Sequence, residues 1–182
     1  FPYTPNDEEV AVLKQDAQSE DGCLAAFASC LLTHTGDEKY EGTLTDLFAS
    51  DVERHRLCAA YSLRHVLDLS SGSREALAAQ AAKEPIESSA RTYILGAAFN
   101  TGTSEAKAPL LEYAKTGDKS QKYEMASVLA LSGDASDLPL LIQLLDDPEA
   151  DVQSAAAYAI LRIERRQAHA FHALDWLAIA GY

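Results

Sequence analysis

The sequence has few of the residues that interrupt helices and none of the long apolar runs that cross membranes. Only nine of its 182 residues are Gly and six are Pro, while Ala and Leu dominate the apolar 47%. This balance favours an all-helical protein without a sheet. No stretch of about 18 apolar residues occurs, so a membrane-spanning helix is not expected.

Basic residues are also scarce. The chain has 15 Lys and Arg against 28 Asp and Glu, which gives a net charge of −13. Nucleic acid binding requires Lys and Arg that replace the counterions on phosphates, so this composition argues against it. The acidic excess is either a solvated surface or a docking surface for a basic partner.

The three cysteines are an odd number, Cys23, Cys30 and Cys58. Cys23 and Cys30 lie about 10 Å apart on one predicted helix, too far for a disulfide. Cys23 and Cys58 would lie on neighbouring helices, where a bridge needs favourable geometry. We expect all three to be buried thiols, which favours a reducing compartment such as the cytoplasm. Because the chain begins with Phe1 rather than Met, a removed signal peptide and a periplasmic or secreted location stay open.

Two sets of positions recur at an interval of 31 residues. A fixed period of this size predicts stacked two-helix units rather than a closed globule. The recurring positions are Ser89, Ser120 and Asp151 at helix starts, and Gly102, Gly133 and Glu164 at helix ends.

The helical pattern and the turns predict one domain that covers residues 1–182. A last helix, at about 167–180, is expected to cap the stack. The hairpins before it span about 4–36, 37–72, 73–102, 103–133 and 134–164.

Two local patterns support these hairpins. Each of the first four closes at a Gly after Thr or Ser, and a left-handed Gly ends a helix. Thr4 is predicted to cap the first helix. Inside three second helices, two alanines precede an aromatic and a small residue; we interpret this as core packing, in which the aromatic fills the gap between layers. The closing glycines are Gly36, Gly72, Gly102 and Gly133, and the aromatics are Phe27, Tyr61 and Tyr158.

The fifth hairpin carries a specific resemblance. Its first helix reads Leu-Leu-x-x-Leu-Leu over 140–145, Asp147-Pro148 follows, and its second helix carries pairs of small and apolar residues over 151–160. This segment resembles a HEAT repeat of the short type also found in phycobilisome-lyase-like proteins, and the fourth hairpin is a weaker copy. The resemblance implies a right-handed α-solenoid whose second helices line a concave side. In that family the usual activity is binding another protein on the concave face or the ridge.

The enzymatic branches of that family find little support in the residues. HEAT-like hydroxylases bind iron through His-Glu pairs, and none of the five His here precedes Glu. HEAT-like DNA glycosylases need a basic groove, whereas bilin lyase subunits stay possible on repeat type alone. No nucleophile elbow or phosphate-binding Gly loop occurs, so we expect no catalytic residue and no cofactor.

One group of residues has a spacing that a metal site could use. His169, His172 and Asp175 follow one another at intervals of three along the last predicted helix. The positions drift around the helix and no fourth ligand is evident. We interpret them as a polar helix face and expect no metal.

Two surfaces are candidates for a partner. The first lies on the second helices, because Tyr and Arg often anchor interfaces. The second is an acidic ridge at the turn of the fifth hairpin, which would suit a basic partner. The second-helix residues are Tyr61, Arg64, Arg91, Tyr93, Lys122 and Tyr123, and the ridge residues are Asp147 and Glu149.

The sequence therefore predicts a non-enzymatic protein-binding module. We expect an inhibitor, an immunity protein or a scaffold that is monomeric when free and binds neither nucleic acid nor membrane. The alternative is a lyase-like or chaperone-like subunit that holds a cofactor in the concave groove. An apolar pocket on that groove would favour the alternative, and a flat, charged groove would favour protein binding.

Overall fold

A computed structural model describes the backbone of residues 5–33, 38–63 and 69–179. It also describes their side chains, apart from Glu38 and 168–179. These ranges contain helices, turns and no strand, which confirms the all-helical class. None of the helices in this part of the chain has the length and apolarity needed to cross a bilayer.

The chain divides into two compact units, Phe1–Leu110 and Leu111–Tyr182. The single domain, the handedness of the solenoid and its number of repeats stay predictions. Helices α1 to α7 are Asp7–Asp16, Gly22–Thr33, Glu38–Phe48, Glu53–Leu63, Ser71–Lys83, Arg91–Asn100 and Lys107–Leu111. A 3₁₀ turn, Ser104–Ala106, precedes α7.

The core of unit 1 combines large apolar side chains with stretches of alanine. Phe48, Leu44 and Leu77 are fully buried, and α2 packs against both α3 and α4. Alanines on α2 and α4 let these helices approach closely because they add almost no side-chain volume between the backbones. The buried alanines are Ala25, Ala26, Ala28, Ala59 and Ala60.

The aromatic residues of the Ala-Ala-aromatic pattern lie outside this core. Phe27 is 44% exposed, Tyr61 39% and Tyr158 54%. Our interpretation of them as gap-filling core residues was wrong. Each residue of a helix is turned about 100° from the previous one, so burial of the flanking small residues turns the aromatic outward.

Unit 2 contains α8 to α11, which are Tyr113–Thr116, Lys119–Ser132, Leu138–Gln143 and Ala150–Ile179. Short 3₁₀ turns, Ala135–Asp137 and Leu144–Asp146, flank α10. Helix α11 packs along α9, and Met125, Leu141 and Ile163 are among the fully buried residues.

The predicted capping helix at 167–180 does not form a separate element. Helix α11 runs without interruption for 30 residues. No Gly or Pro interrupts the chain between Ala150 and Ile179, and nothing therefore ends the helix at Glu164. The Arg166 guanidinium also donates to the carbonyl oxygens of Ala130 (2.6 Å) and Gly133 (2.9 Å), which ties α11 to the end of α9.

The closing glycines behave differently from one another. Gly102 has φ 107° and ends α6 in the left-handed conformation, as predicted. Gly133 has φ −69° at the end of α9, and Gly72 lies inside α5, so neither takes the expected conformation. Gly36 lies outside the described residues.

The first helix begins two residues later than predicted. Asn6 caps α1 by accepting from the Glu9 amide (3.0 Å), while the Asn6 amide donates to the Glu9 side chain (2.8 Å). Thr4, the predicted cap, lies outside the described residues. Asn and Thr both have a side-chain oxygen that can accept from the free amides at a helix start. Residue type alone therefore did not select between positions 4 and 6.

Candidate functional site

Three aromatic side chains from successive second helices of unit 1 form a continuous row. Phe27 on α2 meets Tyr61 on α4 edge to face, with ring centroids 6.1 Å apart. Tyr61 in turn meets Tyr93 on α6 at 6.0 Å and an interplanar angle of 51°. We call Phe27, Tyr61 and Tyr93 the aromatic row.

Apolar side chains extend the aromatic row along α2. Leu24 lies three residues before Phe27 and Leu31 four residues after it, so the three share one helix face. Leu24 is 43% exposed and Leu31 40%. The row is therefore part of an exposed apolar surface rather than a set of isolated rings.

The helices that carry the row are almost free of acidic residues. The chain has 28 Asp and Glu, yet α2, α4 and α6 contain only Glu53. The Glu53 carboxylate accepts from the Ser89 amide (2.8 Å) and hydroxyl (2.7 Å), and these bonds hold its pKa below the ordinary value. This surface thus differs in charge from the acidic remainder of the chain.

A disulfide joins the two helices that carry the first two rings. Cys23 on α2 bonds to Cys58 on α4, with Cα atoms 5.1 Å apart. Our expectation of three thiols was wrong for this pair. The alanines between α2 and α4 bring the backbones within the distance that a disulfide spans, which spacing along the chain could not reveal. Cys30 remains a thiol, and its burial raises the pKa to about 11.

A buried ion pair fixes α4 against the end of α5. The Arg56 guanidinium donates two bonds of 2.9 Å to the Glu84 carboxylate, whose side chain is completely buried. Burial raises the pKa of Glu84, but hydrogen bonds from Arg56, Ser88 and Gln80 outweigh it and hold the pKa below its usual value. Paired and fully hydrogen-bonded, the charge is tolerated inside unit 1.

The predicted second-helix residues do not all serve one surface. The structure brings Tyr61 and Tyr93 together. Arg91 is half-buried, and its guanidinium donates to the backbone carbonyl of Glu84, so it acts as a link to the preceding turn. Arg64 lies outside the described residues.

In unit 2, predicted residues of the two candidate surfaces pair with one another. Lys122 donates to Asp147 at 2.7 Å, and Asp147 is only 8% exposed. The hydrogen bond from Lys122, followed by that from the Glu149 amide, lowers the pKa of Asp147. Lys119 binds Asp151 at 2.6 Å and Glu149 at 3.7 Å.

These pairs change the interpretation of the acidic ridge. Its carboxylates already have lysine partners that join the start of α9 to the turn before α11. Tyr123, which follows Lys122 on α9, is exposed. The ridge stays a predicted docking edge, but Asp147 has little surface left for a partner.

The sequence contained a signal for the residues that our prediction omitted. Phe27 occupies the same place as Tyr61 in the Ala-Ala-aromatic pattern, and we assigned that pattern to the core. Leu24 and Leu31 follow from Phe27 by helical spacing. The sequence also offered one possible metal group. Its side chains, those of His169, His172 and Asp175, lie outside the described residues.

A family model described as HEAT repeats matches residues 74–161. The HEAT-repeat resemblance is confirmed. The matched HEAT segment runs from α5 into α11 and includes most of the fifth hairpin, where the motif is strongest. Helices α1 to α4 precede it, and they carry the disulfide and two rings of the aromatic row. No curated protein matches the chain.

Proposed function

We propose that this HEAT-repeat protein is a binding module that docks a protein partner on the aromatic row of unit 1. The observation that carries the proposal is the exposure of Phe27 and Tyr61 in contact with each other on neighbouring second helices. HEAT repeats are generally protein-interaction modules. Exposed aromatic side chains are also the residues that most often anchor interfaces.

The charge of the surface indicates the kind of partner. Helix α2 has no charged residue, and the single acidic side chain of the three helices, Glu53, is held by Ser89. Arg56 is paired with the buried Glu84, whereas Arg54, whose side chain is 73% exposed, lies 3.9 Å from Asp21. A partner that matches this surface presents an apolar face with little charge, rather than the basic face that the net charge of −13 suggested.

The acidic ridge supports a basic partner less well. Lys119 and Lys122 already neutralise Asp147, Glu149 and Asp151 in part. These lysines reduce the electrostatic gain that a basic partner would obtain at the ridge. Roles as an inhibitor, an immunity protein, a scaffold or a cofactor-holding subunit remain hypotheses from the sequence, and no contact described above favours one of them.

Site-specific photocrosslinking tests the surface. p-Benzoylphenylalanine at position 61 should form a covalent adduct with one protein in the source cell, identified by mass spectrometry. The same residue at position 12, an exposed apolar site on α1, is the matched control. An adduct at position 12 alone, or at neither position, would contradict the proposal.

The captured partner then allows a quantitative test. Tyr61→Ala should weaken binding by about 2 kcal/mol or more, roughly thirtyfold, because an interface anchor is lost. Tyr158→Ala removes a ring of similar exposure on α11 and should change affinity less than about twofold. Because the surface carries little charge, affinity should vary less than about threefold between low and high salt. A steep decrease with salt would favour the acidic ridge.

A further inference from the structure

The disulfide and the aromatic row occupy the same two helices. Cys23 lies four residues before Phe27 on α2, and Cys58 lies three residues before Tyr61 on α4. Residues three or four apart are neighbours on a helix surface. The bond therefore joins α2 to α4 about one turn away from the contact between the two rings.

Small side chains predominate among the buried residues of α2 and α4. The buried residues along these helices are mainly Ala and Ser, which allow a close approach but bury little apolar area each, together with one Leu on each helix, Leu32 and Leu63. The shared ring contact is half-exposed to solvent. The disulfide adds a covalent constraint on the spacing and rotation of the two helices, which the side-chain contacts around it do not provide.

The environment of the sulfur atoms favours a persistent bond. Cys23 and Cys58 are 7% and 8% exposed, so external thiols have little access to them. Cys30 lies two helical turns from Cys23, and its thiol donates to the Ser62 carbonyl oxygen at 3.3 Å. Burial keeps the Cys30 thiol protonated, which makes it a poor nucleophile for exchange.

We infer that the Cys23–Cys58 disulfide is a clamp that pre-organises Phe27 and Tyr61, so that partner binding depends on an oxidising compartment. Reduction breaks the S–S bond, adds two electrons and two protons to give two thiols, and converts the reducing dithiol to its own disulfide. Without the link, α2 and α4 separate more readily and the ring contact loses its fixed geometry. This inference rests on the proposed function only for its effect on the partner.

Amide hydrogen exchange tests, in the absence of any partner, whether the disulfide restrains α2 and α4. In the full chain, Cys23→Ser with Cys58→Ser should accelerate amide exchange in α2 and α4 at least about tenfold, and dithiothreitol should do the same once mass spectrometry shows that the bond is reduced. Amides of α9 and α11 in unit 2 should change little, and Cys30→Ser should leave all four helices unchanged. Unchanged exchange in α2 and α4, or an equal acceleration throughout the chain, would overturn the clamp.

Crosslinking connects the clamp to the partner. With p-benzoylphenylalanine at position 61, the adduct yield should fall at least about tenfold after reduction. An equal yield in both redox states would overturn the redox dependence, whereas no adduct in either state would contradict the proposed function and leave the exchange result intact. Alkylation in denaturant of protein taken from the source cell should modify only Cys30; modification of all three cysteines would show that the bond is absent there.

Discussion

Unit 1 and unit 2 both consist of packed helices, but different side-chain groups stabilise each unit internally. Unit 1 has a disulfide between α2 and α4 and a buried Arg56–Glu84 pair. In unit 2, the ion pairs of Lys119 are half-exposed, and α11 packs along α9 with the regular Leu and Ala pattern. Most of unit 1 also precedes the segment that matches HEAT repeats, which begins at residue 74.

The two units therefore differ in the groups that stabilise them in addition to apolar burial. Where the Leu-rich first helix and Ala-rich second helix are both present, apolar burial holds the pair. The second helices of both units are rich in Ala, but in unit 1 a disulfide also joins α2 to α4 and a buried charge pair joins α4 to the end of α5. Unit 1 should therefore respond to changes in redox state and at Glu84, and unit 2 to changes in packing and at the Lys122–Asp147 pair.

Loss of the disulfide should have the largest effect. Cys58→Ser should lower the unfolding free energy of unit 1 by about 4 kcal/mol, because the bond closes a loop of 35 residues in the unfolded chain. Urea unfolding, followed by the hydrogen exchange of amides in each unit, measures the change in unfolding free energy. Cys30→Ser is the control, and reductant should destabilise the native chain but not the Cys58 variant. Equal losses in both units would remove the distinction between them.

Breaking the buried ion pair should come next. Glu84→Gln leaves the Arg56 charge without its carboxylate and should cost about 3 kcal/mol. In unit 2, Glu149→Gln removes a half-exposed partner of Lys119 and should cost less than about 1 kcal/mol. Urea denaturation of the two variants compares them directly, and similar losses would mean that the Glu84 environment is more solvated than the structure indicates.

Unit 2 should be sensitive to packing at single alanines. Ala156 is fully buried on α11, so Ala156→Leu should destabilise unit 2 by about 1–3 kcal/mol. The adjacent Ala157 is exposed, and Ala157→Leu should change stability by less than about 0.5 kcal/mol. Thermal unfolding followed by circular dichroism distinguishes the pair. A neutral Ala156→Leu would contradict the register of α11.

Lowering the pH should have the smallest effect on the stability of unit 1, but the effect should still differ between the native chain and the Glu84→Gln variant. The folded pKa of Glu84 lies below its usual 4.5. Its contribution to stability is therefore complete above the unfolded pKa and is lost as the pH falls through the folded pKa. The urea midpoint of unit 1 should decrease below about pH 4.5, and Glu84→Gln should flatten that decrease. An unchanged slope in the variant would assign the acid sensitivity to other carboxylates such as Glu41.

The sequence by itself determined the all-helical class and the HEAT repeats. Both depend on patterns that are local to one helical pair, namely the spacing of Leu and Ala and the 31-residue interval. The left-handed Gly102 was predictable for the same reason, because Gly adopts that conformation without steric cost. Spacing along the chain also placed Tyr61 and Tyr93 on second helices.

Only the tertiary structure decided which faces of those helices are exposed and which distant groups meet. The Cys23–Cys58 bond, the Arg56–Glu84 pair and the pairing of Lys122 with Asp147 join residues 25 to 35 positions apart. Such contacts depend on the rotation of one helix against another. A rotation of about 100°, the angle between one residue and the next, moves an aromatic ring from the core to the surface. The sequence pattern did not determine this rotation, and Phe27 was therefore assigned to the core although it belongs to the candidate site.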